Sequence, residues 1–244
     1  MDRAGQQPFE GVFQAMKPRL QAVVFDLDGT LVDSLDDLRW ATDQLLAEQQ
    51  RRSLTRDEVR SFVGEGAMVL IQRAFAATGG WPSGLSADAA LHRFLAHYRD
   101  SGHQRSRLYP GVLMMLAALR ELGLRLAICT NKPCEPTHDL LDTLQLSRCF
   151  DAVVGGDSFA ARKPSAEPVL GALNRLGQSP DVAVMVGDSD VDVSAARAAR
   201  LSAMLLVWHG YARGNPADLG ADWVIETFDT LPAWLTSRFD VNAV

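Results

Sequence analysis

Five short apolar runs set the tightest limit on what this chain can fold into. They are AVVF from Ala22, LRLAICT from Leu124, AVVGG from Ala152, VAVMVG from Val182 and AMLLVW from Ala203. All but the second are nearly continuous. A strand with one wet face alternates apolar and polar residues, whereas a strand covered on both faces does not. Helical patterns lie between the runs: LMMLAALRELG from Leu113, EPTHDLLDTLQL from Glu135, AEPVLGALNRLG from Ala166 and DVDVSAARAARL from Asp190. Strand and helix in alternation predict an α/β, doubly wound (Rossmann-like) parallel sheet core.

Residues 35–108 break this rhythm. LDDLRWATDQLLAEQQ is one amphipathic pattern, and TRDEVRSFVGEGAMVLIQRAFAATGG reads as two helices parted at Gly64-Glu65-Gly66. SADAALHRFLAHYRD is a further helix, with Ser86 placed to cap it. No strand is expected there. Tyr109-Pro110-Gly111-Val112 marks the return to the core. The reading therefore divides the chain into an irregular leader (1–18), a core (19–34 and 109–244) and a helical insert (35–108).

The 244 residues carry a formal net charge of -6. An acidic chain is a poor partner for nucleic acid, whose phosphates favour basic surfaces. No apolar stretch approaches the roughly 18 residues that span a membrane. The first residues hold no continuous apolar signal-peptide core. Cys129, Cys134 and Cys149 are too few and too odd in number for a disulfide framework. Cys129 sits in an apolar run and reads as a reduced core residue. A cytoplasmic protein, monomer or homodimer, is expected.

Ligands of open parallel sheets bind beyond the carboxyl ends of the strands. Asp26 and Asp28 follow the first run, and Thr130, Asn131 and Lys132 follow the second. Lys163 follows the third, and Asp188, Asp190 and Asp192 follow the fourth. Several carboxylates suit a hard cation such as Mg²⁺. A carboxylate can attack phosphorus, and a second can carry the proton of the leaving oxygen. A lysine and a threonine hydroxyl can hold phosphoryl oxygens.

FDLDGTLVDS, TNK, RKPSAEP and VGDSDVD, in this order, resemble the four motifs of the haloacid dehalogenase-like hydrolase superfamily from about residue 20 onward. The resemblance implies Asp26 as nucleophile, Asp28 as acid and base, and Thr130 and Lys163 as phosphate ligands. It implies Mg²⁺ held by Asp26, the Asp28 carbonyl and Asp188, with Asp192 on a metal-bound water or orienting Lys163. It also makes the insert a cap over the site. Gly29 and Asn131 complete the expected substrate-binding set together with Gly66, where amides at a helix start would attract an anion. VRSFVGEGA, YPGV and GLRLAICTNKP are similar to bacterial phosphoglycolate phosphatases, which implies a small phosphorylated metabolite, 2-phosphoglycolate, cleaved to glycolate and phosphate through an aspartyl-phosphate. Two positions depart from the family pattern: Ser165, where proline or histidine is frequent, and Val191, where a polar residue is.

Alternatives within the superfamily are a phosphatase or phosphomutase for another small phosphate, such as a sugar phosphate. A haloacid dehalogenase proper has no need of Asp28 and Asp188, and a non-catalytic scaffold has no need of the whole set. Asp190 reads as a helix-start acid. Lys132 reads as solvated, and the five histidines read as surface or partly packed.

Overall fold

The structure is a computed structural model that describes residues 17–207, 211 and 215–241. The expectation for the leader falls mostly on residues 1–16, and that for His209 on residue 209. Both lie outside the described residues. In chain order the elements are β1 (Ala22–Phe25), β2 (Val32–Asp33), α1 (Leu35–Glu48), α2 (Arg56–Phe62), α3 (Ala67–Ala77), α4 (Ala87–Asp100) and β3 (Arg107–Leu108). Then follow α5 (Val112–Glu121), β4 (Arg125–Cys129), α6 (Cys134–Thr143), β5 (Ala152–Val154), α7 (Glu167–Leu176), β6 (Ala183–Gly187), α8 (Asp190–Ala198), β7 (Ala203–Val207), β8 (Trp223–Ile225) and α9 (Leu231–Arg238).

Six strands form one parallel sheet in the order β5-β4-β1-β6-β7-β8. The chain first winds outward from β1 through β4 to β5, then returns to β6 on the other side of β1. That reversal places the crevice between β1 and β6, where doubly wound sheets bind ligands. The near-continuous apolar runs follow from the two covered faces. Val23, Phe25, Ile128 and Val186 pack toward α5, α6 and α9. Val24, Cys129, Met185 and Leu206 pack toward α7 and α8. Each fully buried Val or Leu contributes about 1.5–3 kcal/mol, so both layers draw on the same strands.

Two expectations about strands need correction. The apolar runs foretold five strands, and the sheet has a sixth, β8, at its edge. Its Trp223 and Val224 are exposed, so no buried run announced it. The stretch 35–108 was expected to hold no strand, yet β3 pairs antiparallel with β2 through Val32–Leu108 and Asp33–Arg107. Two-residue strands are too short to show a period.

This small ladder joins the two crossings between the sheet and the helical insert. Helices α1 to α4 bury their own cluster, including Leu45, Ile71, Phe75 and Phe94. Thr55 and Glu58 form a reciprocal capping box on α2, and Ser86 caps α4 by accepting from the Ala89 amide at 3.2 Å. Asp37 of α1 fixes the return crossing. It is fully buried and accepts from the Arg105 amide at 3.0 Å and the Ser106 hydroxyl at 2.7 Å. Replacing Asp37 by Ala orphans both donors. The expected loss is about 2–3 kcal/mol in urea unfolding, and a loss below about 0.5 kcal/mol would show that this carboxylate does not hold the neck.

Candidate active site

Every strand end of the crevice delivers a polar group. Asp26 follows β1 directly, its amide still bonded to the Val186 carbonyl at 2.9 Å. Lys163 reaches it from the loop after β5. The Lys163 ammonium donates to Asp26 Oδ1 and to Asp192 Oδ1, both at 2.7 Å. Asp188 closes the group at the end of β6, where its Oδ2 accepts from the Tyr211 amide at 2.7 Å. Oxygens of Asp26, Asp188 and Asp192 lie within 4.8 Å of one another, and all three residues are buried.

Burial costs these carboxylates. It raises Asp26 from 3.8 to about 6, against the pull of Lys163. Burial and the neighbouring Asp192 and Asp26 charges push Asp188 well up. Lys163 is raised as well: burial works against its charge, but Asp192 and Asp26 prevail and it stays charged. One ammonium among three acids leaves surplus negative charge, which a hard divalent cation would neutralise.

Asp192 spends both oxygens on protein groups. Oδ1 takes Lys163, while Oδ2 accepts from the Ser189 hydroxyl at 2.6 Å and the Ser189 amide at 3.2 Å. Asp190, exposed in the first turn of α8, lines the same cavity but is not one of the three clustered acids. Asn131 is equally committed. Its amide donates to the Gly64 carbonyl at 3.1 Å and the Lys163 carbonyl at 2.9 Å, and its oxygen accepts from the Lys163 amide at 3.0 Å. Thr130 is buried, with its hydroxyl oxygen accepting from the Lys132 amide at 3.3 Å. Gly29 has φ of +88°, and a Cβ there would stand 2.5 Å from Asp188 Oδ2. Gly66 starts α3 at φ of +96°, with Arg162 and the Asn131 carbonyl close by.

Lys132 corrects the sequence reading. It is not solvated but buried, donating to both Asp28 oxygens at 3.2 and 3.0 Å. Its ammonium also lies 4.3 Å from the centre of the Tyr98 ring. His103 is corrected too: it is buried, edge-on against Tyr98 at 4.8 Å. Both partners of Lys132 are remote in sequence, so neighbouring residues gave no warning.

Two cavities share Asp26 and Asp28 as walls. One holds Lys163, Asp188 and Asp192, and the other runs under the insert past Thr130, Lys132 and Tyr98.

The family model described as Haloacid dehalogenase-like hydrolase matches residues 23–206. This chain belongs to that family. Among curated relatives of the hydrolase is a phosphoglycolate phosphatase of Rhodospirillum rubrum, 44% identical over 219 residues, covering 88% of this chain and 90% of the relative. Another is a plasmid-borne phosphoglycolate phosphatase of Cupriavidus necator, 42% identical, covering 88% of this chain and 93% of the relative. Among solved structures, a predicted phosphoglycolate phosphatase of Haemophilus somnus superposes with a TM-score of 0.83 at 30% identity, covering 88% of this chain and 97% of that one. CbbY of Rhodobacter sphaeroides in complex with phosphate gives 0.77 at 26% identity, covering 87% and 96%.

Phosphatases of this hydrolase family generally use Mg²⁺, and the buried acidic cluster fits that ion by charge and by donor type. Three further residues of the hydrolase shape the site without having been foreseen. The Ser34 hydroxyl donates to Asp28 Oδ1, and the Ser34 amide donates to the Tyr211 hydroxyl at 2.8 Å. Tyr211 thereby ties Asp188 to Asp28, and Tyr98 carries Lys132. Ser34 stands inside the first motif, the one signal that pointed to it. The Tyr211 contact to Asp188 uses a backbone amide, which no side-chain pattern reveals.

Proposed function

We propose that the chain is a Mg²⁺-dependent phosphoric monoester hydrolase that cleaves 2-phosphoglycolate to glycolate and phosphate. The observation that carries this reading is the buried cluster of Asp26, Lys163 and Asp188 beside Asp28, opening onto a small chamber. The relatives named phosphoglycolate phosphatase supply the substrate. The chamber lies beneath the insert, with Leu38, Leu70 and Lys132 among its walls.

In this scheme an Asp26 oxygen attacks phosphorus, and the bond from phosphorus to the ester oxygen breaks. Asp28 gives its proton to that oxygen as glycolate leaves. Asp28 then takes a proton from water, whose oxygen attacks the phosphorus of the aspartyl-phosphate. Phosphate departs and the Asp26 carboxylate is restored. Lys163 and Thr130 steady the phosphoryl oxygens, while Asp192 orients Lys163. Asp26, the Asp28 carbonyl and Asp188 are the groups that would hold Mg²⁺, which when bound neutralises charge on the phosphoryl group. Gly29 is the residue that lets Asp188 approach so closely. Residues 35–108 serve as the cap, which Asn131 fastens to the core at Gly64. The three free cysteines suit a reducing compartment, and no helix among the described residues is long and apolar enough to cross a membrane. The cytoplasm is the compartment proposed.

Two measurements test this. Across a panel of phosphorylated metabolites with Mg²⁺, phosphoglycolate ranks first by kcat/KM, and a chelator abolishes turnover. Asp26→Asn retains less than about a hundredth of the activity. A sugar phosphate ranking first, or higher residual activity in the variant, contradicts the scheme. The second measurement is thermal unfolding with and without Mg²⁺ between pH 5 and 8. A carboxyl raised on folding favours the folded state at low pH and loses that advantage as pH climbs from 3.8 through about 6. Protons also compete with metal there. The Mg²⁺-induced rise in Tm is therefore larger at pH 7.5 than at pH 5. An equal rise at both would place the ion elsewhere.

A further inference from the structure

We propose that Lys132, with the Tyr98 hydroxyl beside it, forms the subsite that binds the carboxylate of the substrate's leaving group. The proposal rests on the phosphoglycolate reading above and adds the residues that distinguish this substrate from other phosphate esters.

Two cavities adjoin at the site. Asp26 and Asp28 wall both of them. With phosphorus in line with Asp26 and its oxygens on Lys163, the ester oxygen faces Asp28. Whatever that oxygen carries must extend into the other cavity, beneath the insert. The walls there are mostly apolar, including Leu38, Val63, Leu70 and Phe94. Among the described residues lining that chamber, Lys132 is the one cation. A protein of net charge -6 needs a local cation to hold a dianionic phosphate joined to a carboxylate, and Lys163 is already committed to Asp26 and Asp192.

Position and state both suit Lys132. Its ammonium lies 3.0 Å from one Asp28 oxygen. Only one carbon separates the ester oxygen of phosphoglycolate from its carboxylate carbon, so a substrate oxygen bonded to Asp28 brings its carboxylate within reach of the same ammonium. The Asp28 carboxylate and the Tyr98 ring both face that ammonium. The Tyr98 hydroxyl is buried without a well-formed hydrogen bond, the Lys132 ammonium being the polar group near it. A carboxylate arriving at Lys132 would give that hydroxyl an acceptor. Asn131, the other amide in the chamber, has no proton left to offer, since both are donated to Gly64 and Lys163. Charge-assisted hydrogen bonds of this kind are about twice as strong as neutral ones.

Specificity is a difference between two substrates, so the test compares two. Ethyl phosphate has the size of phosphoglycolate without the carboxylate. The ratio of kcat/KM for phosphoglycolate over ethyl phosphate is measured in the full-length wild type and in Lys132→Met, Lys132→Arg and Tyr98→Phe. Wild type strongly prefers phosphoglycolate. Lys132→Met lowers the ratio by about 30-fold or more, chiefly through KM for phosphoglycolate. Lys132→Arg recovers part of the ratio, and Tyr98→Phe lowers it by about 3-fold or more. If Lys132→Met slows both substrates equally, Lys132 serves only to hold Asp28 and the subsite is overturned. If wild type does not distinguish the two esters, the phosphoglycolate reading falls and the subsite with it. If wild type distinguishes them and the variants keep the ratio, the subsite alone falls. Circular dichroism checks folding. Should Lys132→Met fail to fold, Tyr98→Phe decides, because it removes one oxygen and no packing volume, and an unchanged ratio overturns the proposal.

Discussion

The buried ammonium of Lys163, shared by Asp26 and Asp192, is the contact on which the rest of the site depends. Removing two carboxylates from water is expensive, and one cation offsets only part of that cost. The remainder appears as the upward shift of Asp26 to about 6 and the rise of Asp188. A stable protein retains such a cluster when something else neutralises it. Here that deficit is the basis of the proposed chemistry: the surplus charge suits a divalent ion, and Asp26 stands ready to attack phosphorus.

The fold makes the cluster possible by fixing its members on rigid supports. Asp26 and Asp188 end adjacent parallel strands, β1 and β6, paired in register from Ala22–Ala183 to Phe25–Val186. Asp192 sits in the first turn of α8, bound back to Ser189. Two buried layers hold those strands from opposite sides, and close-packed interiors resist displacement. The insert has a buried cluster of its own, and its contacts with the core include the β2–β3 ladder, the Asn131 bond to Gly64, the Lys132 ammonium on the Tyr98 ring and the Arg99–Glu135 ion pair. In the proposed scheme chemistry resides on the sheet, while selection belongs to the seam between sheet and insert.

Much of this could be read from residues in order, and the misses have physical causes. Strands β1, β5, β6 and β7 were visible because burial on both faces leaves nearly unbroken apolar runs, and β4 was visible through a run interrupted by the exposed Arg125. Edge strand β8 lacks that signature, and β2 and β3 are too short for any period. Asp26, Asp28 and Asp188 drew notice as acids just beyond apolar strands, where charge is costly without a partner, whereas Lys163, in the loop after β5, was picked out through the family resemblance. Lys132 was misread because a lysine in a polar loop is normally solvated. What buries it is Asp28, 104 residues away, and Tyr98 from the insert, and such partners exist only after folding. His103 was misread for the same reason, and Tyr211 contributes a backbone amide that leaves no trace in composition.

The central claim is that Asp26 forms a covalent bond to phosphorus while Asp28 moves protons. The most direct test is acid quenching of Asp28→Asn mixed with radiolabelled phosphoglycolate and Mg²⁺, followed by peptide mapping. The Asp28 carbonyl survives in this variant, so the proposed metal site would keep its backbone ligand, but release of the phosphoryl group to water slows. The account predicts label that persists on the peptide holding Asp26. Absence of label, label on another residue, or label lost as fast as wild-type turnover would contradict it.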